Sequence, residues 1–134
     1  MSESEILRKI AVIFVTDVVG FSTLMAQNEE LTLRSFRSCK EILDNLFEEH
    51  TGRIFNTAGD SVLAEFPSAV SAVICAVEFQ KLIKARNASV NKEAQMQFRI
   101  GLNMGDVIIE GTNLYGDGVN VAARLEALSQ AGGV

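Results

Sequence analysis

Proline and tryptophan are the first absences: the chain has one proline in 134 residues and no tryptophan. A Pro-rich spacer is thereby excluded, and breaks between elements must fall mainly at glycine and short polar side chains. Cysteine is equally scarce. Cys39 and Cys75 both lie within helical apolar patterns, with no metal-ligand spacing between them. They read as two buried thiols of a reducing compartment, neither a disulfide nor a metal site. The single histidine, His50, falls near a helix end. A cation on the helix dipole or simple solvation accounts for it, and no catalytic role is given to it. No apolar run approaches the roughly 20 residues that a membrane span needs. Met1 to Lys9 is polar rather than a signal peptide, so a cytoplasmic location is expected. There is no basic excess either, and a formal net charge of -5 argues against binding a nucleic-acid backbone. A nucleotide remains possible for an acidic protein, because divalent cations screen its phosphates. Neither G-x-x-x-x-G-K-S/T nor G-x-G-x-x-G occurs, so the common phosphate-binding loops are missing as well.

What is present is an ordinary globular composition, 48% hydrophobic and 22% charged, in a length that makes one domain able to bury its own core. The stretch Ala11 to Met25, AVIFVTDVVGFSTLM, organises it. An apolar run suited to a doubly buried strand (Ile10 to Thr16) ends at Asp17, Gly20 permits a tight turn, and Phe21 to Met25 begins a helical pattern. From Asn28 to His50, apolar residues at Leu33, Phe36, Cys39, Ile42 or Leu43, and Leu46 or Phe47 predict an amphipathic helix. Asn28 is placed to cap its start and Gly52 to stop it. RIFNTA (Arg53 to Ala58) and SVLAEF (Ser61 to Phe66) flank Gly59-Asp60 as a hairpin. Pro67-Ser68 then opens a helix over Ala69 to Arg86, with an apolar face of Val70, Val73 or Ile74, Val77, and Leu82 or Ile83. After a polar loop (Asn87 to Gln95), Gln97 to Asn103 and Asp106 to Glu110 flank Met104-Gly105 as a second hairpin. Thr112 to Gly118 is turn-rich, and Val119 to Gln130 resumes helical spacing through Val121, Ala122, Leu125 and Leu128. The order β α β β α β β α predicts an α/β (α+β) sandwich, a ferredoxin-like antiparallel-rich sheet covered by helices on one face. Gly132-Gly133-Val134 resembles a turn into a further strand, and a domain truncated at its C-terminus is expected over residues 1–134.

Two constellations carry chemistry. Asp17 at the end of the first strand and Asp60 in the first hairpin turn would share one edge if their strands are neighbours, spaced by about 4.8 Å. A pair of carboxylates there suits Mg²⁺ or Mn²⁺. The bland alternative is that Asp60 only favours a Gly-Asp turn and Asp17 only caps a helix. In YGDGVNVAAR, Asn120 and Arg124 are four apart and share a helix face, where Arg124 could grip a phosphoryl group and Asn120 a ribose oxygen. Their bland alternative is an exposed face without a partner.

DVVGFS, GDSVLAEF and NMGDVIIEGTNLYGDGVNVAARLEAL together resemble the class III nucleotidyl cyclase catalytic domain, that of the adenylate and guanylate cyclases, from about Ile10 to Val134. The resemblance implies that Asp17 and Asp60 bind two Mg²⁺ (or Mn²⁺) ions, one acidifying the ribose 3′-hydroxyl and the other orienting the triphosphate. The 3′-oxygen then attacks the α-phosphorus and pyrophosphate leaves. Backbone N–H groups of Val18, Val19, Gly20 and Phe21 would cradle phosphates, Arg124 would neutralise the α-phosphoryl charge and Asn120 would align the ribose. It also implies a head-to-tail homodimer with shared active sites, ATP or GTP as substrate, no nucleic-acid partner, and regulatory domains in the full-length chain.

Two positions depart from the family pattern. Asn56 stands where adenylate cyclases usually carry a lysine that reads adenine, and Asn113 where they commonly carry aspartate or threonine. Guanylate cyclases typically use glutamate and cysteine. An asparagine both donates and accepts, so weak purine discrimination is expected. The family's phosphate-binding lysine lies beyond Val134. Three functions are compatible with these residues: an active cyclase making cyclic AMP ahead of cyclic GMP, a non-catalytic homology domain that dimerises or senses nucleotide, and another two-metal phosphoryl-transfer enzyme such as a diguanylate cyclase, against which YGDGVNVAAR weighs.

Overall fold

The computed structural model describes residues 6–134. In chain order the elements are β1 (Leu7–Val18), α1 (Phe21–Gln27), α2 (Glu29–His50), β2 (Arg53–Ala58), β3 (Ser61–Phe66), α3 (Ala69–Ala88), a single 3₁₀ turn (Lys92–Ala94), β4 (Phe98–Glu110), β5 (Asn113–Tyr115) and α4 (Asp117–Leu128). The strands form one sheet in the order β2-β3-β1-β4-β5, every pair antiparallel. The expected antiparallel-rich sandwich is present, and β1 lies at its centre.

Alternation along β1 divides the core. Val12, Phe14 and Val18 face α2 and α3, whereas Ala11, Ile13 and Val15 face α4. Helices therefore cover both faces of the sheet, and the expectation of one covered face is corrected. The cause lies in β4. A 13-residue strand runs unbroken through Met104-Gly105, so the second hairpin turns at Gly111-Thr112 and not where the sequence suggested. Gly105 is not a turn residue; a Cβ there would lie 3.2 Å from the Gly118 Cα. Gly101 is tighter still, since a Cβ would collide with the backbone of Ala122 and Glu126. These gaps seat α4 directly on β4.

On the other face the predicted stripe of α3 is also corrected. Val70, Val73, Ile74, Val77 and Leu82 are exposed; Ile83, the expected alternative to Leu82, is buried as anticipated, together with Ala72, Cys75, Ala76 and Phe79. From Ala69 to Val77, α3 has Ser71 as its one polar residue, so periodicity there could not choose the face. Small side chains at Ala72 and Ala76 let the helix approach, and Phe79 fills the space. Each fully buried phenylalanine there contributes roughly 2–3 kcal/mol. Leu125 and Leu128 of α4 are likewise exposed, at 43% and 81%. Asn28 caps α2 as expected, accepting from the Leu31 N–H at 3.1 Å. The left-handed stop, however, is Thr51 (φ 63), and Gly52 is needed for space beside the Phe66 ring. Cys39 and Cys75 are buried free thiols. Among the described residues no helix is long and apolar enough to cross a membrane.

Candidate active site

Asp17 lies one residue before the end of β1, and Asp60 lies in the turn that feeds β3. β1 and β3 pair through Thr16 and Val62, so the two carboxylates meet at one end of neighbouring strands. Asp60 Oδ2 accepts a 2.8 Å hydrogen bond from the Val18 N–H, immediately beside Asp17. Asp17 Oδ1 is buried and has no hydrogen-bond partner. Leaving a buried charged oxygen unpaired is costly, and the usual remedy is a cation.

Two residues absent from the sequence reading share this place. Arg99 is the register partner of Asp17 on β4, and its Nε stands 3.8 Å from Asp17 Oδ1 and 3.7 Å from Glu126 Oε2. Glu126 is buried on the inner face of α4. Burial, then the neighbouring Asp17 carboxylate, pushes its pKa up to about 7, while Arg99 pulls it down. A charge inside an apolar strand (FRIG) and another on the inner face of a helix (RLEAL) were the available signals. Asp17 and Asp60 offer hard carboxylate oxygens that fit Mg²⁺ or Mn²⁺, and Glu126 faces Arg99 beside them.

The expected phosphate cradle is narrowed. Val18 N–H donates to Asp60 and Val19 N–H to the Gln97 carbonyl at 2.8 Å, so both are already committed. Gly20, left-handed at φ 66, turns the chain into α1, and the Gly20 and Phe21 N–H groups have no partner among the described residues. Asn120 and Arg124 share the exposed face of α4, turned away from the buried Glu126, and their side chains have no polar partner among the described residues. The structure therefore does not bring them to Asp17 within one chain.

Asn56 and Asn113 sit on the two edge strands. The edges curl together, since Phe55 and Leu114 join one apolar cluster and Arg53 Nη1 donates to the Thr112 carbonyl at 2.7 Å. Each amide is engaged locally: Asn56 Oδ1 accepts from the Thr57 N–H, and Asn113 accepts from the Leu114 N–H and donates to the Tyr115 hydroxyl. His50, read from the sequence as helix-end or solvated, pairs with Glu78 at 3.4 Å on the α2–α3 side. With Glu49 these two place ligand atoms within 4.8 Å of one another, away from Asp17. Grooves of about 490 Å³ beside Leu24 and Thr32, and about 430 Å³ between Lys9, Arg53 and Met104, include neither aspartate. The carboxylate pair lies outside both.

Comparison with known proteins shows what the chain as a whole is similar to. The family model described as the adenylate and guanylate cyclase catalytic domain matches residues 3–134. "Putative adenylate cyclase 3" of Rhizobium meliloti (strain 1021) is 44% identical over 135 residues, covering 100% of this chain and 23% of that protein. A crystal structure described as an adenylate/guanylate cyclase/hydrolase from Silicibacter pomeroyi superposes with a TM-score of 0.84 at 37% identity, covering 96% of this chain and 75% of that one. The adenylyl cyclase CyaB from P. aeruginosa gives 0.81 at 26%, with 96% and 76% covered. The chain thus spans under a quarter of the curated relative it most resembles among these.

Proposed function

The chain belongs to the adenylate and guanylate cyclase catalytic domain family, and from that premise we propose that it converts a purine nucleoside triphosphate, ATP ahead of GTP, to the 3′,5′-cyclic nucleotide and pyrophosphate. One observation carries the reading: Asp17 offers a buried oxygen without a hydrogen-bond partner, beside Asp60, at one end of β1. The two carboxylates would hold two Mg²⁺ or Mn²⁺ ions. Bound there, the ions would acidify the ribose 3′-hydroxyl and offset the triphosphate charge. Gly20 and Phe21 N–H groups would meet phosphate oxygens.

Asn120 and Arg124 would serve the site of a second copy, in a head-to-tail homodimer with two shared sites. Arg124 would neutralise charge building on the α-phosphoryl group and Asn120 would align the ribose. Exposed Leu125 and Leu128 beside Arg124 supply apolar area for that contact. Asn56 and Asn113 would face the purine, and weak discrimination between adenine and guanine follows from amides that donate and accept alike. The domain would act as one catalytic unit of a longer chain with regulatory parts. The runner-up, a non-catalytic homology module, is favoured by the local engagement of the Asn56 and Asn113 amides.

The test incubates the protein with ATP or GTP and Mn²⁺ and separates cyclic product and pyrophosphate by chromatography. Product lost in Asp17→Ala supports the enzyme; no product from folded dimer overturns it and leaves the module. Mixing inactive Asp17→Ala with inactive Arg124→Ala should restore about a quarter of wild-type activity, as shared sites require when the dimers re-sort at random. No recovery from re-sorted dimers would place both residues in the same chain's site.

A further inference from the structure

Arg99 is shared between two carboxylates, and its role in the site depends on Asp17 and Asp60 holding cations, as proposed above, while going beyond that reading. Its Nε lies 3.8 Å from Asp17 Oδ1 and 3.7 Å from Glu126 Oε2. Both are ion-pair separations, and both are too long for hydrogen bonds. All three atoms are buried without hydrogen-bond partners. An arginine with one carboxylate to answer closes on it through both prongs of its fork, as Arg53 does on Glu65 in this same chain at 2.8 and 2.6 Å. Arg99 has not closed on Asp17, although the two are register partners on adjacent strands. Glu126 draws it the other way. Glu126 is also held firmly, because the α4 backbone rests on Gly101, where a Cβ would collide with the Glu126 N and the Ala122 carbonyl.

We propose that Glu126 is a positioning residue that holds the Arg99 guanidinium off Asp17, so that Asp17 Oδ1 stays open to a divalent cation. Without the Glu126 charge, Asp17 is the carboxylate left at ion-pair distance from Arg99 among the described residues. The guanidinium then closes on it, and an arriving cation must displace an arginine from a partly buried pair. Glu126 touches no substrate in this scheme; it acts through Arg99.

The test measures Mn²⁺ binding to the full chain without nucleotide, by titration calorimetry and by the loss of the free-ion paramagnetic signal, at about pH 8 where carboxylates are ionised. Glu126→Gln should weaken Mn²⁺ binding roughly tenfold. Arg99→Gln combined with Glu126→Gln should return it to within about twofold of wild type, since the competing cation is then gone. A Glu126→Gln protein that binds Mn²⁺ like wild type overturns the proposal. So does a double variant as weak as the single one, because a merely structural Glu126 is not rescued by deleting Arg99. The Asp17→Ala protein separates the levels: if it still binds Mn²⁺ as wild type does, or if wild type binds none, the carboxylate-site reading itself falls.

Discussion

On the face covered by α2 and α3, Phe14, Phe47, Phe66, Phe79 and Phe98 pack with ring centres between 5.0 and 5.7 Å apart. On the face covered by α4, the core is Ala11, Ile13, Val15, Phe55, Val107, Leu114, Val119 and Ala122, and it gives way at one end to Asp17, Arg99 and Glu126. The aromatic face removes large side chains from water. It carries a charge at Arg86 of α3, whose Nη1 donates to Asn87 Oδ1 and the Ala94 carbonyl while its Nε is buried without a hydrogen-bond partner. The α4 face has Phe55 as its one buried aromatic ring, places helix backbone directly on strand backbone, and gathers the unpaired Asp17, Arg99 and Glu126 atoms in one place. Stability and chemistry are thus assigned to opposite sides of β1, whose alternation supplies Phe14 to one and Asp17 to the other. A substitution should reveal its face by what it damages.

The sharpest separation is expected at Asp17. Asp17→Ala should lower turnover by on the order of 10³-fold or more, while the metal-free melting temperature holds or rises, because a crowded negative charge is removed. Steady-state assay and calorimetric melting check the two halves; a folded-state loss that parallels the activity loss would erase the distinction. Phe79→Ala should do the reverse, costing roughly 3–5 kcal/mol by urea denaturation with turnover per folded molecule little changed. Gly101→Ala should break the comparison, since it sits where α4 meets β4. Overpacking there should cost roughly 1–3 kcal/mol and also displace Glu126, so that Mn²⁺ affinity falls together with stability. A Gly101→Ala chain with unaltered Mn²⁺ binding would show that the helix seat does not set the site.

This asymmetry also explains what the sequence could disclose. β1 and the Gly59-Asp60 hairpin were legible because a buried apolar run and a turn are local signals, and with them came Asp17 and Asp60. The α3 face was not legible: with Val70, Val73 and Val77 as apolar as Ala72 and Phe79, only the packing partner chooses the buried side. The break placed at Met104-Gly105 failed for a related reason. Glycine there yields room to Gly118 from a distant element, which no local pattern records. Arg99 and Glu126 were missed because each is an isolated charge in an apolar element. They make sense only once the β1–β4 register and the α4 crossing bring them to Asp17.

The smallest effect expected is a pH slope, and it too belongs to the α4 face. Burial, then the Asp17 carboxylate, raises Glu126 from 4.5 to about 7, with Arg99 opposing. Between those values the folded chain keeps a proton that the unfolded chain has released. Where the folded state binds more protons, stability falls as pH rises. The contribution from Glu126 is therefore intact below about 4.5 and is lost as the pH climbs through about 7. Metal-free wild type should melt a few degrees lower above that window than below it, on the order expected for a group of this burial in a domain this size. Glu126→Gln, which cannot titrate, should lose that component of the slope. Phe79→Ala should keep it while the whole curve moves down, because the aromatic face carries no part of it. Equal slopes in wild type and Glu126→Gln would mean that Glu126 titrates as an ordinary carboxylate, and that Arg99 compensates its burial in full.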